Sequence, residues 1–350
     1  MELTPNMSTE GDCAEPGKKE SLGAPSSFLT PELRNLYRKC NLCPRGCGVD
    51  RCSGQVGVCG ATDALRLGRA ALHWWEEPCL VGQQGSGAVF FSYCPMRCVY
   101  CQNRELACGA GIEVDDGELE RIILRLQNEE HAANINLVTP THYLPHIIGV
   151  LEKMRGEGSL VIPVVYNCSG YESVDALRLL DGLVDIYLVD FKYSRVQTAQ
   201  SLSSCADYPT VALSALGEML RQVGAWSEDS ETGLLRKGVI VRHLVLPGHI
   251  EDSAEAIALL VRTFPGAFTR LKGHAPLARM SIMNQFVALE GAGDLSRYGL
   301  GGQVSPEEYD ALLDLADDLG IEDYFWQEGG ADKESFIPAF DGTGILPIAR

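Results

Sequence analysis

Residues 85–103 read GSGAVFFSYCPMRCVYCQN, and they join a strand-like run to three closely spaced cysteines. Residues 88–93 (AVFFSY) are almost wholly apolar, which is typical of a strand buried on both faces of a parallel sheet. Cys94, Cys98 and Cys101 follow directly, in the spacing C-x3-C-x2-C. Because open and closed parallel sheets carry their chemistry at the carboxyl ends of the strands, we expect this loop to lie at a functional edge.

The rest of the chain repeats the same rhythm of an apolar run followed by an amphipathic helical segment. Strands are predicted at 88–93, 134–139, 161–166, 184–191, 238–246 and 279–287. Helices are predicted at 116–130, 142–155, 173–181, 251–264 and 306–319. This alternation predicts an α/β fold with a parallel sheet. Six such units suit a partly closed barrel or a doubly wound sheet, and the periodicity does not choose between them.

Composition limits the function classes. The 350 residues carry 29 Lys and Arg against 47 Asp and Glu, a net charge of −18, with a pI near 4.8. Such an acidic chain is not expected to bind nucleic acid or an anionic membrane surface. Residues 1–27 lack the pattern of a signal peptide, and no run reaches the ~20 apolar residues of a membrane helix. We therefore expect a cytoplasmic protein, and we interpret residues 1–27 as a disordered tail.

The chain has 13 cysteines, and an odd number cannot all pair with one another. Clustered cysteines in a reducing compartment more often bind metal or perform redox chemistry than form disulfides. The three thiolates of Cys94, Cys98 and Cys101 suit a [4Fe–4S] cluster with one iron left without a protein ligand. Zinc is the competing interpretation, although zinc sites usually show paired C-x2-C arms.

A second cysteine group precedes the predicted sheet. It reads Cys40-x2-Cys43-x3-Cys47-x4-Cys52-x6-Cys59, and glycines interrupt it. Four thiolates within 20 residues can enclose a zinc ion or an auxiliary iron–sulfur cluster. We predict the ligands Cys40, Cys43, Cys47 and Cys59 and interpret Cys52 as an extra thiol. A metal-free loop is the alternative, and the spacing does not distinguish zinc from iron.

Polar residues recur where the predicted strands end, and they are candidates for one shared site. They are Thr139, Thr141, Asn167, Ser169, Asp190, Lys192, Arg242 and His243. Capping and loop roles are the competing interpretation for each of them.

The motif C-x3-C-x-aromatic-C, with Tyr100 as the aromatic, resembles that of the radical S-adenosylmethionine (SAM) enzymes. More narrowly, the chain is similar to proteins related to the pyruvate formate-lyase activating enzyme. The matching segments are CNLCPRGCGVDRCSGQVGVCG, LHWWEEPCLVG, NINLVTPTHYLP, VYNCSGYES, VDIYLVDFKYS, VRHLVLPGH and MSIMNQF. The resemblance runs from about residue 36 to 328. It implies a partial (β/α)6 TIM-type barrel at 83–330, a cysteine-rich N-terminal extension at 28–82 and a tail at 331–350.

The resemblance also implies a mechanism. SAM would bind the open iron of the cluster and, after one-electron reduction, yield a 5′-deoxyadenosyl radical that abstracts hydrogen from a substrate. The implied partners are an electron donor such as flavodoxin or ferredoxin, and a glycyl-radical enzyme whose glycine is the target. Alternatives are radical SAM modification of a different protein, peptide or small molecule, or a non-catalytic iron–sulfur or zinc redox sensor.

By the same resemblance, Tyr100 and the strand-end residues would contact SAM. Asn167 and Ser169 fit ribose or carboxylate contacts, and Lys192 of the Asp190-Phe-Lys192 pattern would neutralise the SAM carboxylate. Arg242 and His243 fit a further carboxylate or substrate contact. The chain departs from the family at 139–141, where Thr-Pro-Thr replaces the Gly-Gly-Glu that holds the SAM amino group. Only backbone carbonyls and hydroxyls remain at Thr139 and Thr141 for that role.

Overall fold

The computed structural model describes residues 27–271, 274–288, 293–327 and 337–345. The tail expected at 1–27 therefore lies outside the described residues, except for Ser27.

Within the described residues, nine strands form the sheet. They are β1 (Arg66–His73), β2 (Ser86–Phe91), β3 (Ile112–Glu113), β4 (Ile135–Val138), β5 (Val164–Cys168), β6 (Ile186–Asp190), β7 (Ser227–Glu228), β8 (Leu235–Leu244) and β9 (Ala278–Met283). Strands β2, β4, β5, β6, β8 and β9 are parallel and neighbour one another in that order. Strands β1, β3 and β7 pair antiparallel at the margins. The α/β fold with a mostly parallel sheet is confirmed, and all six predicted parallel strands are present.

In the part of the chain that the structure describes, ten α-helices accompany the strands. They are α1 (Pro31–Arg38), α2 (Pro78–Val81), α3 (Arg104–Ala107), α4 (Asp116–Asn128), α5 (Leu144–Glu157), α6 (Val174–Arg178), α7 (Val196–Ser203), α8 (Tyr208–Val223), α9 (Ile250–Thr263) and α10 (Pro306–Asp318). Capping boxes at Asp115 and Ser305 begin α4 and α10 by satisfying otherwise free backbone N–H groups. Within the described residues, no helix combines the length and apolar character needed to cross a membrane.

The parallel strands are buried on both faces, as their apolar sequences predict. Every residue of β2 and β4 is buried. A large cluster lies between the sheet and its helices, and a smaller cluster occupies the opposite face. The smaller cluster consists of Leu80, Val165, Ile186, Leu188, Leu235 and Ile240. Leu80 belongs to α2, so this short helix covers the face that the longer helices leave open.

The cysteine-rich N-terminal segment is continuous with the sheet. β1 pairs with β2 along its whole length, from Leu67 opposite Phe91 to His73 opposite Ser86. Helix α1 packs against α5. The extension expected at 28–82 is therefore built into the main sheet through β1, because an antiparallel hairpin partner satisfies the free edge of β2.

The structure describes residues 337–345 of the tail expected at 331–350, and these residues pair with β1. The carbonyl of Thr343 accepts a hydrogen bond from Ala70 N–H at 3.0 Å. The N–H of Gly342 donates to the carbonyl of Gly68 at 3.0 Å. The ring of Phe340 packs edge-on against Phe90, with 5.6 Å between centroids. Backbone pairing with β1 fixes this segment, and the sequence shows no periodicity that would have predicted it.

We predict that Phe340→Ala lowers the free energy of unfolding by about 1–3 kcal/mol, because it removes a partly buried ring from the contact with Phe90. Chemical denaturation measures the change. Val161→Ala is the control, since Val161 is 72% exposed and its truncation should change stability by less than about 0.5 kcal/mol. Equal stability of Phe340→Ala and wild type would show that the C-terminal segment does not dock.

Candidate functional site

A cavity of about 340 Å³ lies at the carboxyl ends of the parallel strands, and all three cysteines of the Cys94 loop line it. The strand-end residues predicted to share one site largely meet there. Those lining the cavity are Tyr100, Thr139, Asn167, Ser169, Asp190, Lys192 and Arg242. The strands deliver them because parallel neighbours all end at the same edge.

Three non-glycine residues beside this cavity adopt left-handed backbone conformations. Tyr93 has φ of 73°, Arg97 of 57° and Thr139 of 59°. Such conformations cost free energy for residues with a β-carbon, and they concentrate at functional sites. Tyr93 and Arg97 flank Cys94 in the loop, so the strain coincides with the turn that presents the cysteines.

The thiols of the Cys94 loop are set by hydrogen bonds. The N–H of Met96 donates to Cys94 Sγ at 3.5 Å, and the Ser203 hydroxyl donates to Cys98 Sγ at 3.1 Å. Burial, and then the neighbouring Cys98, raises the pKa of Cys94 to about 11. Burial likewise raises the pKa of Cys101, with Cys98 and Cys94 adding to the effect. Cys94 and Cys101 are thus close enough to Cys98 to interact with it electrostatically, and their raised pKa values keep both of them protonated at neutral pH in the metal-free protein.

The described side chains contain no preformed group of three or more His, Cys, Asp or Glu that could hold a metal ion. The Cys98 sulfur accepts a hydrogen bond from Ser203 of α7, and a sulfur that binds a metal can keep such a bond. Rotation of a cysteine about χ1 moves only the sulfur and leaves the backbone in place.

A chain of hydrogen-bonded hydroxyl groups connects Cys98 to Tyr100. Tyr100 and Tyr193 share a hydrogen bond of 2.8 Å between their hydroxyls, and Tyr193 and Ser203 share one of 2.7 Å. Burial raises the pKa of Tyr100, with the Cys98 charge adding to the effect. Tyr100 therefore remains a neutral hydrogen-bonding group between the cysteine loop and α7.

Asp190 and Lys192, at the end of β6, form an ion pair of 2.5 Å inside the cavity. Burial alone would lower the pKa of Lys192, but the charge of Asp190 is the largest opposing cause and the pKa is raised. The backbone is held as well, since Tyr208 Oη accepts from Lys192 N–H at 2.8 Å and donates to Asp190 O at 2.9 Å. Lys192 is therefore a fixed positive charge in the cavity wall.

Arg242 is engaged by two carboxylates that were not among the predicted site residues. Its guanidinium donates to Glu77 at 2.8 and 2.6 Å and also to Glu76. Burial would raise the pKa of Glu77, but Arg242 reverses the shift and the pKa is lowered. The sequence contains a signal for this contact. Glu76 and Glu77 are adjacent acids between β1 and α2, and buried carboxylates need a cation. Arg242 lines the cavity, but its charge is already neutralised.

Thr141 and His243 are set apart from the cavity. The Thr141 hydroxyl donates to Glu172 at 2.9 Å, and the His243 Nδ1 pairs with the Phe191 carbonyl at 2.7 Å. Burial lowers the pKa of His243. Both side chains are buried outside the cavity, so neither belongs to the proposed cofactor site. Glu172 is a buried carboxyl that the sequence did not single out.

The N-terminal cysteines lie on short segments that contact one another. Backbone pairing joins Cys40 to Val49 and Gly48, at 3.0 and 2.9 Å, and Cys47 Sγ accepts from Val58 N–H at 3.4 Å. Gly57 has no β-carbon, and one added there would lie 2.7 Å from Cys47 Sγ.

These contacts bring the Cys40, Cys47 and Cys59 segments together. Burial raises the pKa of Cys43 to about 12, with Cys59 and Cys40 adding to the shift. Cys52 lies elsewhere, with its thiol 3.9 Å from the Arg34 carbonyl.

No family model matches the chain. It is similar to the uncharacterized protein MJ0674 of Methanocaldococcus jannaschii, with 29% identity over 237 residues. The match covers 64% of this chain and 62% of that protein.

We predict a pH-dependent loss of stability that originates at Glu172. Burial raises its pKa from the ordinary 4.5 to about 7, despite hydrogen bonds from Thr141 and Tyr166. The native state then binds this proton more tightly than the unfolded state, so stability falls as pH rises through about 4.5 to 7. Relative to Glu172→Gln, the wild type should lose about 3 kcal/mol across that window.

Denaturant titrations of the metal-free protein between pH 4 and 8 measure this difference. Glu152→Gln, on the exposed face of α5, should follow the wild type throughout. Parallel pH profiles for wild type and Glu172→Gln would exclude a raised pKa at this position.

Proposed function

We propose that this protein is a radical SAM enzyme in which Cys94, Cys98 and Cys101 hold a [4Fe–4S] cluster. The observation that carries the proposal is their meeting in one cavity with Lys192 and the other strand-end residues. A three-cysteine loop leaves one iron free for a small-molecule ligand, and the cavity supplies space for that ligand next to the loop.

We further propose that the sheet is a partial (β/α)6 barrel. Six parallel strands in sequence order favour this arrangement, because a doubly wound sheet reverses its strand order part-way. Strands β2 and β9 stand at opposite ends of that row, yet Phe90 and Met283 line the same cavity. The Gln102 amide also donates to the Gln285 carbonyl at 2.8 Å, which joins the loops that follow those two strands.

The loop offers the surroundings that a cluster requires. Backbone N–H groups of Met96 and Arg97 face the Cys94 sulfur, and that of Asn103 faces Cys101. Hydrogen bonds to cluster sulfurs are a principal means by which proteins set reduction potentials. When bound, the cluster supplies the electron that cleaves SAM reductively. The positive charge of the irons would favour the thiolate forms despite the raised pKa of Cys94.

The cavity wall would bind and orient SAM. Lys192, paired with the single carboxylate of Asp190, would share its ammonium group with the SAM carboxylate, while Asn167 and Ser169 offer hydrogen bonds to carboxylate or ribose. Thr141 takes the position of the family glutamate but donates to Glu172, so the backbone and hydroxyl of Thr139, which lines the cavity, would be the acceptors for the amino group. Arg242 serves to hold Glu76 and Glu77 in place, and not as a free carboxylate ligand.

We also propose the kind of substrate, the electron donor and the cellular compartment. Trp75 and Trp326 line the cavity while 49% and 52% exposed, so a macromolecular substrate such as the glycine loop of a glycyl-radical enzyme could enter between aromatic faces. A flavodoxin or ferredoxin would deliver the electron. The cysteines of the N-terminal group and of the Cys94 loop are free thiols, which supports placement in the reducing cytoplasm.

We predict that anaerobic reconstitution with iron and sulfide, followed by reduction in the presence of SAM, yields methionine and 5′-deoxyadenosine. Cys94→Ala should abolish 5′-deoxyadenosine, because it removes one of three protein ligands. Cys108→Ala is the matched control, since Cys108 lies just beyond α3 and does not line the cavity. Chromatography of the quenched reaction provides the measurement.

Lys192→Met should raise the SAM concentration needed for half-maximal turnover by about tenfold or more, because it removes a charge-assisted contact. Absence of 5′-deoxyadenosine from a reconstituted wild type, or its formation by Cys94→Ala at the wild-type rate, would refute the proposed function.

A further inference from the structure

Arg45 lies between Cys43 and Cys47 of the N-terminal cysteine group, yet its side chain reaches the Cys94 loop. Its Nε donates to the Pro95 carbonyl at 3.0 Å, and its Nη2 donates to the Met96 carbonyl at 3.1 Å. Pro95 and Met96 are the residues immediately after Cys94. A guanidinium fork therefore caps the cysteine loop from a separate part of the chain.

The same guanidinium also binds the segment that holds Cys98. It donates to the Ser203 and Ser204 carbonyls at 2.9 and 2.6 Å. The hydroxyl of Ser203 in turn donates to Cys98 Sγ at 3.1 Å. Arg45 thus fixes two backbone segments that together determine where Cys94 and Cys98 stand.

The backbone of Arg45 faces the other cysteine group. Its N–H is directed towards the Cys43 sulfur, where it favours the thiolate form. A tight turn closes just beside it, with Gly46 N–H donating to the Cys43 carbonyl at 3.1 Å. One residue therefore touches a predicted metal ligand through its main chain and the Cys94 loop through its side chain.

A second arginine makes the reciprocal connection. Arg97 lies between Cys94 and Cys98, and its Nε donates to the Val58 carbonyl at 2.9 Å, next to Cys59. Gly60 approaches the same residue closely, since a β-carbon added there would lie 3.3 Å from Arg97 Nη2. Each cysteine loop thus contributes an arginine that caps the backbone of the other.

We propose that Arg45 and Arg97 couple the two cysteine groups, so that a thiolate-bound metal ion at Cys40, Cys43, Cys47 and Cys59 fixes the Cys94 loop for cluster binding. Arg45 is the principal positioning residue. Metal coordination by Cys43 immobilises the turn that carries Arg45, and its fork then holds the Pro95 and Met96 carbonyls. The role of the coupling in cluster binding rests on the proposed function. The contacts that transmit it involve only residues of this chain.

Hydrogen–deuterium exchange of the full chain, read by mass spectrometry over residues 94–101, measures this coupling. The probe is Zn²⁺ added to metal-free protein, and elemental analysis counts the zinc retained. In wild type, zinc binding should slow exchange over 94–101 by about tenfold or more, the factor expected from securing a charge-assisted hydrogen bond. Cys47→Ala should lose this protection, and Cys52→Ala, altered in the same loop but away from the cluster of thiols, should keep it.

The double variant supplies the decisive comparison. If Arg45 transmits the effect, Arg45→Gln alone should abolish the protection while zinc is still retained, and Arg45→Gln combined with Cys47→Ala should exchange no faster than either single variant. Arg45→Lys keeps the charge without the fork and should restore only part of the protection. If Cys47→Ala fails to fold, the comparison of Arg45→Lys with Arg45→Gln still tests the coupling.

Two results would overturn the coupling. One is protection over 94–101 that survives Arg45→Gln, and the other is zinc binding that leaves exchange in the wild type unchanged. The measurement needs neither iron nor SAM, so it is independent of the proposed reaction. An enzyme that forms 5′-deoxyadenosine without the zinc effect would lose only the coupling. A chain with the zinc effect but no 5′-deoxyadenosine would lose only the radical SAM assignment.

Discussion

The order of the parallel strands is the constraint on which the rest of the molecule depends. Each of the six parallel strands, β2, β4, β5, β6, β8 and β9, lies beside the next parallel strand along the chain. The connections between them therefore return across helices, and the carboxyl ends of all six strands lie at the same edge of the sheet. Burial on both faces keeps the parallel strands mostly apolar, with Asn136 and Ser281 among the buried exceptions, so most polar side chains stand where the strands end. The chemistry-bearing residues therefore meet in one cavity without any long loop to carry them there.

Buried charge in that cavity is compensated within the wall. Arg242 is held by Glu76 and Glu77, and Lys192 is paired with Asp190. Removing one member of such a group leaves an uncompensated charge, which is far more costly than the pair is favourable. The pairs therefore fix the positions of their side chains, and a ligand would meet charges that need little reorganisation.

The sequence predicts the elements well because their signals are local. Continuous apolar runs indicate the six parallel strands, and strand ends indicate residues such as Asn167 and Lys192, which the structure brings into the cavity. Interactions between distant segments have no comparable signal. Arg242 reads as an available cation, but its partners lie 165 and 166 residues away. Arg45 reads as a loop residue, although its acceptors lie 50 and 158 residues ahead.

The support that the Cys94 loop needs explains why the N-terminal segment is folded against it. Tyr93 and Arg97 hold left-handed conformations that an isolated loop would relax, so contacts from elsewhere must stabilise them. Gly60 provides one such contact with the Tyr93 ring. A β-carbon added to Gly60 would lie only 3.2 Å from that ring, so glycine allows the close approach. The fork of Arg45 provides another at the carbonyls after Cys94. The strained loop and the cysteine-rich segment therefore form one structural unit, although more than 30 residues and a complete β-hairpin separate them in the chain.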